Sequence, residues 1–322
     1  MNKVIIPSGS KFPLSFQDKE NRCLALFDES IRDGSGFWHL CTPGNGQQII
    51  FSETSDYEIG MVVTALCLRE LPEVTIITFE LMSNHVHFIL HGPRAAVDRY
   101  FKSLKARLQL LLKISGRMVD LRGFIPNIIA IESLESLRNQ IVYTNRNNYV
   151  VDPDQTPFSY PYGANGYFFN PAAKASFRCN YGNLTARERR AFVHSHDVNY
   201  PDTYLVTGNY FSPVSYCDID FGEAMFRDAR HYFQKVSRAV EAFKEIAALT
   251  GDNVFYTDDE LFAVASAICK KKYANFLKRG TKTRLFVSGL RKKGASAPRS
   301  PQYSGYRPVP VTIRRSRSCR GF

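Results

Sequence analysis

No two cysteines in this chain are spaced C-x-x-C; the seven, Cys23, Cys41, Cys67, Cys179, Cys217, Cys269 and Cys319, are scattered and odd in number. That excludes a disulfide framework or an all-cysteine zinc site as the organising device, and it points to reduced thiols, several of them in the core. Long apolar runs are missing too. No stretch approaches the roughly 18 residues needed to span a bilayer, and the opening "MNKVIIPSGSKFPLSFQDKE" lacks a signal-peptide core. The expectation is a cytoplasmic protein with no membrane partner. Acidic residues are absent from Leu261 to Phe322, where 16 Lys and Arg stand, so the net charge of +12 divides into +16 there and −4 over the first 260 residues. A basic segment of this kind suits a polyanion, most often nucleic acid; the plainer reading is a solvated tail that keeps the chain soluble.

At 322 residues the chain exceeds one typical domain. After a polar leader (1–34), "GFWHLCTP" alternates as a strand. "DYEIGMVVTALCLREL" places Ile59, Val62, Val63 and Leu66 at helical spacing and ends at Pro72. "EVTIITFELM" and "HVHFILHG" flank Ser83-Asn84 as a hairpin. "RAAVDRYFKSLKARLQLLLKI" is a helix with a basic outer face, "FIPNIIAIES" a weaker strand, and "LESLRNQIVYTNRNNYV" a further helix. The order β-α-β-β-α-β-α predicts a ferredoxin-like α+β fold, an antiparallel sheet with helices packed on one face. An aromatic Pro/Gly connector (152–182) follows, then segments that read as helical up to residue 293. The Pro/Ser/Arg tail (294–322) has no periodicity that supports structure.

Within the hairpin, "MSNHVHFIL" carries two histidines one residue apart. Strand alternation puts His85 and His87 on one face, roughly 6.6 Å apart along the backbone, close enough to converge on one ion. Val86, Phe88 and Leu90 take the opposite face. His91 shares the parity but lies about 13 Å beyond His87. His194 and His196 sit at i and i+2 of a helix or loop, where side chains diverge. On the helix over 134–150, Tyr143 and Asn147 share a face one turn apart. Were that helix to pack near the hairpin, Asn147 would offer an oxygen ligand and Tyr143 a hydroxyl, a poor nucleophile unless a cation or base stands nearby. The bland alternatives are hydrogen-bonded structural histidines, a core tyrosine and a surface asparagine.

"MSNHVHFIL" followed by "IVYTNRNN" resembles the HUH single-tyrosine transposases, in particular the REP-associated tyrosine transposases and their insertion-sequence relatives. The likeness covers about residues 35–165, including "SYPYG" at 159–163. It implies a catalytic domain over 35–165; the chain beyond is an extension, read from its basic charge and helical pattern as an accessory, DNA-binding domain over 166–293 followed by the basic tail over 294–322. The resemblance implies His85 and His87 as ligands of Mg²⁺ or Mn²⁺, Asn147 as the third ligand, and Tyr143 as the nucleophile that attaches to a DNA 5′-phosphate. The implied partner is single-stranded DNA with hairpins, with a homodimer open and a nucleoid-associated location. Ser83 stands where relatives often carry Pro, and "YTNRNN" lacks the usual Ile and Asn-Pro, so Asn145 and Asn148 stay open as substitutes for Asn147. Lys270, Lys271, Lys272, Lys278, Arg279, Arg291, Lys292 and Lys293 are the candidate contacts to the DNA backbone, and connector tyrosines are candidates for base stacking. Two competing classes remain: a hairpin-binding regulator without cleavage, and a ferredoxin-like domain with incidental histidines.

Overall fold

The computed structural model describes residues 14–31, 34–44, 49–151, 158–237, 246, 249 and 250, with backbone alone for 148–151. The segment read as a polar leader contains a helix, which corrects that reading. Helix α1 (Phe16–Ser30) starts in a reciprocal capping box, with the Ser15 hydroxyl accepting from the Asp18 N–H and the Asp18 carboxylate accepting from the Ser15 N–H. Its buried Cys23 and Phe27 are one turn apart.

Strand β1 (Gly36–Cys41) leads to α2 (Thr54–Leu68), then β2 (Thr75–Leu81), β3 (Val86–Gly92), α3 (Arg94–Ile114), β4 (Asn127–Ile131) and α4 (Leu134–Val151). The four strands form one antiparallel sheet in the order β2-β3-β1-β4. Crossover α2 therefore joins strands separated in space by β3. Helix α2 is buried nearly all round from Ile59 to Cys67 rather than amphipathic, because it is sandwiched between α3, β2 and the later strand β7 (Tyr210–Phe211).

Both faces of the sheet are covered, and the one-face expectation is corrected. Phe79 and Phe88 stack toward α3, where the Tyr100 ring meets Phe88 edge-on. On the opposite face, Phe37 stacks between Phe27 of α1 and Phe221 of α7 (Ile219–Ala224). Helix α4 lies on this second face, where Asn145 bonds Thr78 of β2 and Gln140 bonds His39 of β1. The expectation failed because the histidine face reads as polar, and a polar sheet face is normally left to solvent. Here α4 and its neighbours supply hydrogen-bonding partners, and His87 is fully buried.

Beyond α4 come α5 (Pro171–Lys174), β5 (Cys179–Asn180), α6 (Ala186–Val193), β6 (Leu205–Thr207), β7, α7 and α8 (Ala229–Val236). A three-stranded sheet β5-β6-β7 stands among the expected helices, and "SYCDIDFGEAMFRDARHYFQKV" divides into α7 and α8, each opened by an aspartate N-cap, Asp218 and Asp228. These residues share one continuous core with the first sheet, from Cys23 to Val236. The chain after α4 also closes the outer edge of β2. The Leu81 N–H donates to the Tyr162 carbonyl, the Ala164 N–H to Phe79, and the Asp218 N–H to Ile76. Among the described residues no helix is long and apolar enough to cross a membrane.

Candidate metal centre and tyrosine site

The β2–β3 turn places His85 at its foot, just before β3 begins. The Asn84 amide donates to the Gly44 carbonyl at 2.8 Å, and its oxygen lies 2.7 Å from His85 Nδ1. A Cβ on Gly44 would come within 3.0 Å of that ring, so the loop after β1 packs directly against His85. One residue on, His87 faces inward, and the two ring centroids are 5.0 Å apart at 85°. This is the convergence that alternation anticipates.

His87 does not stand alone. Antiparallel pairing of β1 with β3 sets Cys41 opposite His87 and His39 opposite Ile89, all on one face. His39 Nε2 lies 2.9 Å from His87 Nδ1, and His39 Nδ1 lies 2.5 Å from Gln140 Oε1. An amide oxygen only accepts. With that oxygen facing the ring, neutral His39 carries its proton on Nδ1 and offers a lone pair at Nε2. His87 Nδ1 must then be the donor, which leaves the lone pair of neutral His87 on Nε2. The α4 glutamine thus selects the tautomers of two imidazoles in series.

Tyr143 joins the cluster from α4, one helical turn after Gln140. Its ring centroid is 5.7 Å from that of His87 and 6.1 Å from that of His39, both edge-on. The half-buried phenol lies 3.5 Å from Thr250 Oγ1. Asn147 follows on the same face, half-buried, and its buried Nδ2 makes no hydrogen bond among the described residues. The two convergent imidazoles offer nitrogen donors for a transition-metal ion, and Asn147 stands one turn beyond the phenol on the same face of α4; an oxygen-seeking ion such as Mn²⁺ or Mg²⁺ would draw the rest of its shell from water and substrate oxygens.

Other candidates resolve differently. Asn145 is removed as a substitute ligand: its oxygen accepts from Thr78 Oγ1 and its amide donates to the Tyr232 hydroxyl. The Asn148 side chain and all eight basic residues from Lys270 to Lys293 lie outside the described residues. His91 faces the Ser30 carbonyl at 2.9 Å and packs on Phe37, tying down α1. His194 caps α6 in the left-handed region (φ 50), with its pKa lowered by desolvation. The connector tyrosines are engaged in packing: Tyr162 stacks on Tyr57 at 4.2 Å, and the Tyr160 hydroxyl donates to the Leu81 carbonyl. On α3, Arg94, Arg99 and Arg107 pair with Asp98, Glu73 and Glu70.

Sequence reasoning missed His39, Cys41 and Gln140. Alternation of His39 with Cys41 on β1, and the three-residue step from Gln140 to Tyr143, were the available signals. Glu80, buried and opposite His87 in the register, also escaped notice.

Compared with models of protein families, with curated proteins and with solved structures, the chain matches none.

Proposed function

We propose that residues 35–165 form an HUH-type catalytic unit on a ferredoxin-like sheet, which cleaves and rejoins single-stranded DNA, with Tyr143 as nucleophile. One observation carries this reading: the Tyr143 ring sits beside His87 while His87 sits beside His85, although 56 residues separate the tyrosine from His87. In this reading His85, His87 and Asn147 hold Mn²⁺ or Mg²⁺, and the ion supplies Lewis-acid polarisation of the scissile phosphate. Tyr143 attacks phosphorus, its phenolic proton passes to a neighbouring base, and the DNA 3′-oxygen leaves and takes up a proton. The new phosphotyrosine ester conserves the energy of the broken diester, so attack by a 3′-hydroxyl reverses the step. Gln140 and His39 act by holding the His87 tautomer. The basic residues Lys270 to Lys293 and the tail are proposed to neutralise phosphates on the flanking strand.

The test is a covalent adduct. Full-length protein is incubated with a pool of single-stranded hairpin oligonucleotides and Mn²⁺ or Mg²⁺, then denatured; a protein–DNA band is expected for the wild type and none for Tyr143→Phe or His87→Ala. An adduct that persists in Tyr143→Phe defeats the reading. Retained hairpin binding with no wild-type adduct would favour the regulator reading.

A further inference from the structure

The ligating atoms of His39, Cys41 and His87 all lie within 4.8 Å of one another, and all three residues are fully buried. We infer that these residues form a second metal site, one that takes a thiophilic divalent ion of the Zn²⁺ class through His39 Nε2, His87 Nδ1 and Cys41 Sγ. The donor chemistry selects the ion. Thiolate and imidazole suit Zn²⁺ and Co²⁺, whereas Mg²⁺ takes oxygen ligands. The site uses the nitrogen of His87 that faces His39, not the Nε2 lone pair assigned above to the ion beside His85.

The exchange calls for two movements, because the ligating atoms, now up to 4.8 Å apart, must also draw together by about 1 Å. Tetrahedral Zn²⁺, with bonds of about 2.0 Å to nitrogen and 2.3 Å to sulfur, spaces its ligand atoms roughly 3.3–3.6 Å apart. The His39–His87 separation of 2.9 Å has to open by a few tenths of an ångström. The Cys41 thiol, now 3.7 Å from the Asn127 carbonyl and 3.9 Å from that of Thr250, turns inward. Gln140 already fixes the His39 proton on Nδ1, so Nε2 needs no rearrangement before it binds. A water or the Tyr143 phenol would complete the fourth position.

The proton balance follows. The ion replaces the hydrogen between the two imidazoles, His87 Nδ1 gives up that proton and Nε2 takes one, and the Cys41 thiol releases one. Net release is one proton per ion. Protonated Nε2 then has no lone pair, so a soft ion in this pocket withdraws His87 from the catalytic ion. That antagonism rests on the proposed function; the site itself does not.

Chelator-treated full-length protein titrated with Co²⁺ reports the site directly, because a thiolate–cobalt bond gives a near-ultraviolet charge-transfer band that nitrogen and oxygen ligands do not. One equivalent of band is expected, bleached by Zn²⁺, lost in Cys41→Ser and His39→Asn, and kept in His85→Ala. Zn²⁺ should also raise the melting temperature of the wild type and not of Cys41→Ser, with circular dichroism confirming that each variant folds. Absence of the band from wild-type protein, or its survival in Cys41→Ser, overturns the inference. The DNA-adduct assay in Mn²⁺ is scored separately: a cobalt band without any adduct leaves the metal site standing and the transesterase reading fallen, and the reverse result does the opposite.

Discussion

Replacing Tyr232 with Phe removes one oxygen from the hydrogen-bond network that seats the tyrosine helix on the sheet. The Tyr232 hydroxyl donates to Asn165 Oδ1 at 2.5 Å and accepts from Asn145 Nδ2 at 2.8 Å. Asn145 in turn accepts from Thr78 of β2, and Asn165 Nδ2 donates to the Asn145 carbonyl. Burial pushes the Tyr232 phenol far above its ordinary range, so it remains a neutral hydroxyl able to play both parts. Without that oxygen, two buried amide atoms lose a partner, at about 1–3 kcal/mol each. Part of this is offset because the hydroxyl no longer has to be desolvated. The net destabilisation is about 2–4 kcal/mol, enough to lower a melting temperature by several degrees. Tyr216 provides the control within the same core. Its hydroxyl is buried with no hydrogen-bond partner among the described residues, so Tyr216→Phe should be neutral or stabilising by up to about 1 kcal/mol. Urea denaturation of both variants, at equal m-value, makes the comparison. Equal midpoint losses for the two would refute the reasoning, since the deleted group is the same and only its partners differ.

Arg138→Met removes a buried guanidinium that chelates Glu20 at 2.5 and 3.2 Å and donates to the Met225 carbonyl; a loss of about 2–4 kcal/mol is expected by denaturation, less than for a fully buried pair because Glu20 is 30% exposed. The hydrogen bond from Arg138 also holds the Glu20 carboxyl below its ordinary pKa, so this contribution is present above the usual carboxylate value and lost as pH falls through the folded one. Gly92 has φ 145, and a Cβ there would lie 2.5 Å from the Glu73 carbonyl oxygen; Gly92→Ala should cost about 1–3 kcal/mol, and a melting temperature within a degree of wild type would contradict it. Desolvation, reinforced by Arg227, depresses the His231 pKa from 6.5 to about 4, while its Nδ1 accepts from the Arg227 N–H. The unfolded chain binds that proton first, so stability should fall by at most about 3 kcal/mol as pH drops from 6.5 to about 4. Denaturation midpoints of His231→Gln should vary less over that interval, and identical slopes would remove His231 as the cause.

What the amino-acid order determined by itself is local. A two-residue alternation placed His85 and His87 on one face, and a four-residue step placed Tyr143 and Asn147 on another; both follow from backbone geometry within one element. The order of elements likewise announced an antiparallel sheet, since hydrophobic periodicity changes visibly from strand to helix. The pairing of β1 with β3 was different, because it joins residues 48 positions apart, and only that pairing brings His39 to His87 and Cys41 beside them. The face on which α4 lands was also a tertiary decision. It depends on whether buried polar side chains such as Thr78, His39 and Asn145 find partners across elements, a condition on three-dimensional hydrogen-bond satisfaction that no periodicity in a single segment encodes.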